Sequence, residues 1–207
     1  MSSERTIPMF PLNLVLFPRQ ILPLHIFEER YKLMIEEIIN EDREFGVVLI
    51  ERGNEVGGGD IRKNVGTLAK IIDFEKSNDG RWLLITEGTK RIETSKWLDD
   101  SPYPKAEVTF FDEEEISSYD LEDWQKIVGH MRRVLAILAE LGDDVAPIST
   151  VVSDDPLFGS FEMSSIIAIS PLDSQKLLEI GSTTERCALL RTCLETLEET
   201  ANYRLFQ

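Results

Sequence analysis

Between Ile7 and Tyr31 the apolar positions fall in short runs separated by Pro8, Pro11, Pro18 and Pro23, a pattern that fits neither one helix nor one central strand. Proline removes a backbone donor, fixes its own φ and pushes the residue before it, here Phe10, Phe17 or Leu22, toward extended geometry. The pattern predicts extended pieces at Met9-Phe10, Leu14 to Phe17 and Ile21 to Phe27, joined by turns. These pieces are too apolar to lie on a surface unless part of that surface binds something.

From Glu28 to Asn40 the apolar residues Tyr31, Met34, Ile35, Ile38 and Ile39 follow the spacing of an amphipathic helix. Glu28 and Glu29 suit its first turn. Phe45 to Ile50 reads as a buried strand and Glu51 to Asn64, with four glycines, as a loop. Gly66 to Phe74 and Trp82 to Ile92 predict a hairpin across Ser77-Asn78-Asp79-Gly80, and Ala106 to Phe111 a further strand. The pattern then changes at the acidic run Asp112 to Glu115, a linker or helix lead-in. Trp124, Ile127, Val128, Met131, Val134, Leu135, Leu138 and Leu141 keep a helical period up to Gly142. Asp155-Pro156, Asp173 and Ser182 to Glu185 each look like a helix start, the last as a capping box with Leu189, Leu190, Cys193, Leu194 and Leu197 facing inward. The expected fold class is therefore α+β: a β-rich lobe with one helix over residues 1–112, then an all-helical lobe over 113–207.

Composition adds restrictions. The chain of 207 residues carries a formal charge of −16, with 15 basic and 20 acidic residues up to Asp112 and 7 and 18 after it. Such acidity repels nucleic acid and anionic membranes, which recruit proteins through clustered Lys and Arg. Cys187 and Cys193 are six apart on a predicted helix, so they point in different directions and are expected to be reduced thiols. No run approaches a membrane span and the first residues show no targeting pattern, so a cytoplasmic location is expected.

Catalytic signatures are sparse. His25 and His130 belong to no paired-histidine or Cys-x-x-Cys arrangement; no metal and no cofactor is expected. His25 reads first as a hydrogen-bonded structural histidine and His130 as a boundary residue off the buried stripe. The glycines before Asp60 lack the Lys-Ser or Lys-Thr of a phosphate loop, and there is no Gly-x-Ser-x-Gly elbow. The positive signal is an apolar, proline-spaced segment in a two-lobed chain. Clefts are preferred binding places, and a sheet edge can accept an extended peptide. Burial of the same segment in a barrel core explains any single residue equally well.

The stretch FPLNLVLFPRQILPLHIFEERY, Phe10 to Tyr31, resembles the opening signature of the amino-terminal, substrate-binding domain of Lon proteases. FGVVL from Phe45, VGTLAKI from Val65, DGRWLLITEGTKRI from Asp79 and the helical end around Pro171 to Leu190 extend the likeness over nearly the whole chain. One departure is Arg19, which follows Leu-Phe-Pro where glycine is common; a bulky basic residue is expected to alter that turn. The resemblance implies a β-rich barrel lobe of the pseudouridine-synthase and archaeosine-transglycosylase (PUA-like) type followed by a helical lobe. It also implies recognition of unfolded or extended polypeptide, with a protease or chaperone as a further partner, and cereblon's related domain in a substrate receptor points the same way. Walker and Ser-Lys peptidase motifs are absent from this sequence, so no enzymatic activity is expected. Phe17, Pro18, His25, Phe27 and Tyr31 are the candidates for a groove wall, with Arg30 as a polar anchor for a carbonyl or carboxylate. An RNA-binding module is the alternative, since the fold type serves RNA elsewhere, but the acidity opposes it. A small hydrolase would need a polar pocket.

Overall fold

The computed structural model describes residues 4–53, 55, 59–113 and 121–205. Gly57 and Gly58 of the expected loop, and Glu114 and Glu115 of the expected acidic lead-in, lie outside the described residues. The chain divides into two compact units, Met1–Asp112 and Glu113–Gln207.

The first unit contains β1 (Arg5–Leu12), β2 (Ile21–Ile26), α1 (Glu29–Ile38), β3 (Glu44–Arg52), β4 (Ile61–Lys76), β5 (Trp82–Trp97) and β6 (Lys105–Phe110). The strand order is β2-β5-β4-β3-β1-β6, and β5 also pairs with β6. Five strands thus close into a barrel, while β2 is an added strand on the first half of β5. The 16-residue β5 serves both neighbours, offering Trp82–Glu87 to β2 and Ile92–Trp97 to β6.

Three of the prolines sit inside strands, at positions that cost no ladder bond. Met9 N–H donates to Pro104 O at 2.9 Å, so Met9 and Pro11 turn their backbones toward the β6 side and Pro8 and Phe10 toward β3. Pairing with β6 runs only from Arg5 to Pro8, and pairing with β3 only from Met9 to Leu12. Each missing N–H therefore falls where no strand needs it. Gly88 N–H donates to Gln20 O at 2.9 Å, which turns the even-numbered residues of β2 toward β5 and Pro23 outward, on an edge.

Leu14 to Phe17, expected as an extended piece, lies between β1 and β2 and belongs to neither strand. It is a buried connection, with Leu16 and Phe17 almost inaccessible and Thr67 Oγ1 donating to Leu16 O at 2.5 Å. Phe17 to Gln20 then makes a turn in which Gln20 N–H meets Phe17 O at 3.2 Å. Arg19 has φ 67°, the left-handed region glycine favours, with its N–H on Gly88 O at 2.7 Å. This is a type II turn running into a G1 bulge. Arginine here occupies a conformation that glycine favours. Gly88 is needed for another reason, since a Cβ there would lie 2.2 Å from Phe17 O.

Helix α1 buries Tyr31, Met34, Ile35 and Ile38 as its spacing predicts, beginning after the N-cap Glu28 and ending before Asn40. They pack with Phe10, Leu16, Phe45 and Ala69 in the main barrel core. The loop after β3 is shorter than expected, because β4 already begins at Ile61. The tight turn at Gly80 (φ 83°) joins β4 and β5.

The second unit holds α2 (Leu121–Glu140), α3 (Pro156–Ile166), α4 (Pro171–Glu179) and α5 (Thr183–Leu205). Helix α2 buries Trp124, Ile127, Val128, Met131, Val134, Leu135 and Leu138. Asp155 caps α3 through Leu157 N at 2.9 Å. Helix α4 starts earlier than the expected Asp173: Ser170 is its cap, accepting from Asp173 N at 3.1 Å. On α5, Leu190 and Leu194 are buried and Leu189, Cys193 and Leu197 half-buried. Arg186 is also fully buried, donating to Ser160 Oγ, Ile180 O and Thr183 Oγ1 at 2.8–3.0 Å with its guanidinium 3.8 Å from the Phe161 ring centroid. Hydrophobic periodicity does not anticipate an arginine there. Among the described residues, no helix is long and apolar enough to cross a membrane, and neither Cys187 nor Cys193 is in a disulfide.

Candidate functional site

Strands alternate their side chains between two faces. In β5, Trp82, Leu84 and Thr86 point into the barrel, which leaves Leu83 and Ile85 outside. The antiparallel register sets His25 opposite Leu83, Pro23 opposite Ile85 and Ile21 opposite Glu87, and opposed residues share a face. The outer face of β2 and β5 is thereby an apolar strip. Ile21 is 50% exposed, Leu83 46%, Ile85 37% and Phe27, just past the end of β2, 52%, values that no core role explains.

Beside this strip, at the outer edge of β2, lies a cleft of about 240 Å³. Its wall is made by Phe10 to Leu12 of β1, Leu14, Leu22 to His25 of β2, Phe27, and Glu28 and Tyr31 at the start of α1, with Glu55 on the rim. Pro23, His25 and Phe27 belong both to the cleft and to the exposed side of β2, so cleft and strip form one apolar surface.

The residues anticipated as a groove separate into three groups. His25, Phe27 and Tyr31 meet in the cleft. His25, expected first as a hydrogen-bonded structural histidine, is exposed with its ring 6.0 Å from that of Phe27, and among the described residues its side chain makes no hydrogen bond. Tyr31 is 3% exposed and packs edge-on against Phe10, ring centroids 4.3 Å apart. Phe17 and Pro18 are buried in the connection before β2 and do not line the cleft. Arg30 lies behind the wall: its Nε is 3.1 Å from Glu28 Oε2, an Nη donates to Glu55 O at 3.1 Å, and its guanidinium lies 4.4 Å from the Tyr31 ring centroid. The carbonyl it anchors is one of the chain's own.

These contacts make the cleft a built structure. Glu55 carboxylate accepts from Asn13 N at 2.6 Å, and Asp60 is held by Arg62 Nε at 2.5 Å, so both ends of the loop after β3 are tied down. Arg62 also pairs with Asp100 and lies 4.8 Å from the Trp97 ring centroid. Burial, the largest single influence, pushes the Asp60 carboxyl up, yet the Arg62 hydrogen bond, a backbone hydrogen bond and the charges of Arg62 and Arg30 together hold the group below its ordinary value. Burial pushes the Tyr31 phenol up to about 12, with the nearby Arg30 charge opposing.

Two other clefts are larger but less suited to an apolar ligand. One of about 330 Å³ is lined by charges that already have partners, Arg5 with Asp42 and Glu44, and Glu37 with the Tyr103 hydroxyl. The other, about 360 Å³ in the helical unit, has the Arg204–Asp143 pair in its lining. His130 is engaged by Glu198 at 2.8 Å. Among the described residues, no group of three or more His, Cys, Asp or Glu is placed to hold a metal ion. The chemistry available at the β2 surface is noncovalent: apolar contact with a few carboxylates around it.

Sequence reasoning missed Ile21, Leu83 and Ile85. The signal was the unbroken run Trp82 to Ile85, which has no polar alternation; in a barrel strand, one face of such a run must meet either another layer or a ligand.

Comparison with known proteins agrees with this architecture. The family described as the ATP-dependent protease La (LON) substrate-binding domain matches residues 6–196. A Lon protease of Desulfosudis oleivorans is 27% identical over 178 residues, covering 84% of this chain and 22% of the relative. Lon protease 2 of Herpetosiphon aurantiacus is 29% identical over 201 residues, covering 91% and 23%. The chain thus spans less than a quarter of the length of these curated relatives. In fold it is similar to the crystal structure of a Lon N-terminal domain protein from Xanthomonas campestris, with TM-score 0.69, 23% identity, and 91% of this chain and 98% of that one covered. It is similar too to the N-terminal domain of a Mycobacterium avium complex Lon protease, with TM-score 0.61, 16% identity and coverage of 92% and 98%.

Proposed function

Because this chain belongs to the ATP-dependent protease La (LON) substrate-binding domain family, we propose that it is a non-enzymatic recognition module that captures exposed apolar or extended segments of other polypeptides. The observation that carries this reading is the continuity of the cleft with the exposed strip of Ile21, Phe27, Leu83 and Ile85. A folded chain gains nothing by leaving these side chains in water, whereas an unfolded segment laid across them buries apolar area on both partners. Prolines at Pro11 and Pro23 withhold main-chain donors from the edges beside the cleft, so side-chain contact rather than strand pairing supplies most of the attraction. In this reading the module works in the cytoplasm, with Cys187 and Cys193 reduced, and passes captured segments to a protease or chaperone.

The test is equilibrium binding of a permanently unfolded model protein to wild type and to a Leu83→Ser/Ile85→Ser variant. Both side chains are half exposed, and surface substitutions of this kind change stability by only about 0.5 kcal/mol. Losing two apolar contacts of roughly 1 kcal/mol each should weaken binding about tenfold or more. Absence of binding by the wild type, or equal binding by the variant, contradicts the proposal. Tyr31→Ala is a poor probe, because it opens the core.

A further inference from the structure

The apolar strip has an acidic border. The register of β4 with β5 places Asp73 opposite Ile85 and Glu75 opposite Leu83, so each exposed apolar residue of β5 has a carboxylate as its neighbour on the same face. Asp73 and Glu75 are exposed, and among the described residues neither has an ion-pair partner; Asp73 only accepts from the N–H of Phe74 at 2.9 Å. Glu87, opposite Ile21, likewise has no ion pair among the described residues. On the cleft side Glu55 spends one carboxylate oxygen on Asn13 N. Of the cations nearby, Arg30 is occupied by Glu28, Lys76 by Glu36 and Arg81 by Asp79, whereas Lys70, opposite Glu87 in the β4–β5 register, has no ion pair among the described residues and offsets Glu87 rather than Asp73 or Glu75.

We infer that the partner of this surface is a polypeptide segment in which apolar side chains are interspersed with lysine or arginine. This rests on the proposed polypeptide-binding role and narrows its substrate class. Lysine and arginine are amphipathic: their aliphatic stems cover apolar surface while their charged ends reach outward. With the stem over Leu83 or Ile85, the head reaches Glu75 or Asp73 one strand away. An acidic segment placed there meets two uncompensated carboxylates, and a purely apolar one leaves them next to a dry contact. The border thus discriminates among apolar segments, and Glu75 and Asp73 are its specificity residues.

The experiment uses three labelled peptides with one apolar core and with lysine, glutamine or glutamate between the apolar positions, titrated into the full chain. Rim ion pairs are individually weak, so the lysine peptide should bind about three- to tenfold more tightly than the glutamine peptide, and the glutamate peptide more weakly still. The preference should shrink at high salt and in Asp73→Asn/Glu75→Gln. It should persist in Glu195→Gln/Glu199→Gln, which lowers the overall negative charge by the same amount in the helical unit. Equal affinity for the three peptides, all lost in Leu83→Ser/Ile85→Ser, overturns the charge inference and leaves the polypeptide role standing. Equal loss of preference in both charge variants also overturns it, since the whole protein's field would then be the cause. Failure of all three peptides to bind overturns both.

Discussion

Replacing Arg19 by glycine should stabilise the protein. Arg19 holds φ 67° because the chain must make two bonds at once: Gln20 N–H closes the turn on Phe17 O, and Arg19 N–H reaches Gly88 O at 2.7 Å. For a residue with a Cβ this conformation costs roughly 1–2 kcal/mol. Glycine escapes that cost but gives back about 0.5–1 kcal/mol through its freer unfolded chain. The Arg19 side chain is exposed, so little packing is lost. The balance is a gain of about 0.5–1 kcal/mol, or roughly 1–4 °C in melting temperature for a chain of this size. Arg19→Ala is the control, because it deletes the charge and keeps the Cβ; it should change stability by no more than about 0.5 kcal/mol. Urea unfolding gives both values, and amide exchange at Gly88, whose N–H holds Gln20 O, localises the effect. An Arg19→Gly variant less stable than wild type, or Ala and Gly variants stabilised alike, would refute the backbone argument.

Gly88→Ala should cost about 1–3 kcal/mol, seen as a lower urea midpoint, because the new methyl must displace the Phe17 carbonyl. Arg186→Ala should cost about 3–5 kcal/mol, since it opens a cavity beside Phe161 and strips partners from Ser160, Thr183 and the Ile180 carbonyl; calorimetry checks it, and a cost below 1 kcal/mol would be against it. The Tyr31 phenol, pushed by burial up to about 12 from its ordinary value of 10.0, keeps its proton longer in the folded than in the unfolded chain. Its contribution is complete below about pH 10 and stability falls as pH rises toward about 12. Urea unfolding across that window should show a steeper alkaline decline in wild type than in Tyr31→Phe.

Much of the fold could be read from residue patterns, and the reasons are local. The helical periods of α1 and α2 state which side chains are buried, and Asp79-Gly80 marks the β4–β5 turn. What could not be read depends on pairing at a distance. Pro8 and Pro11 suggest broken pieces, yet β1 is continuous, because β6 leaves it where β3 joins and neither proline loses a bond. Leu14 to Phe17 reads as an extended piece, yet it joins neither β1 nor β2, and its carbonyl at Leu16 accepts from the Thr67 hydroxyl of β4. Of the anticipated groove residues, Phe27 and His25 end up on the surface, whereas Phe17 and Pro18 are drawn inward by the turn that Arg19 makes. Local apolarity cannot distinguish these fates; the register of β2 on β5 decides them. The same register exposes Leu83 and Ile85 and borders them with Asp73 and Glu75, a juxtaposition of three strands that no single segment announces.

The most direct measurement is methyl NMR of the full chain during titration with an unfolded polypeptide. Capture at the β2 and β5 surface predicts saturable shifts at the methyls of Ile21, Leu83 and Ile85, with those of Leu138 and Leu194, buried in the helical unit, unchanged. Saturable shifts that leave Ile21, Leu83 and Ile85 untouched, or no shifts at all, would contradict it.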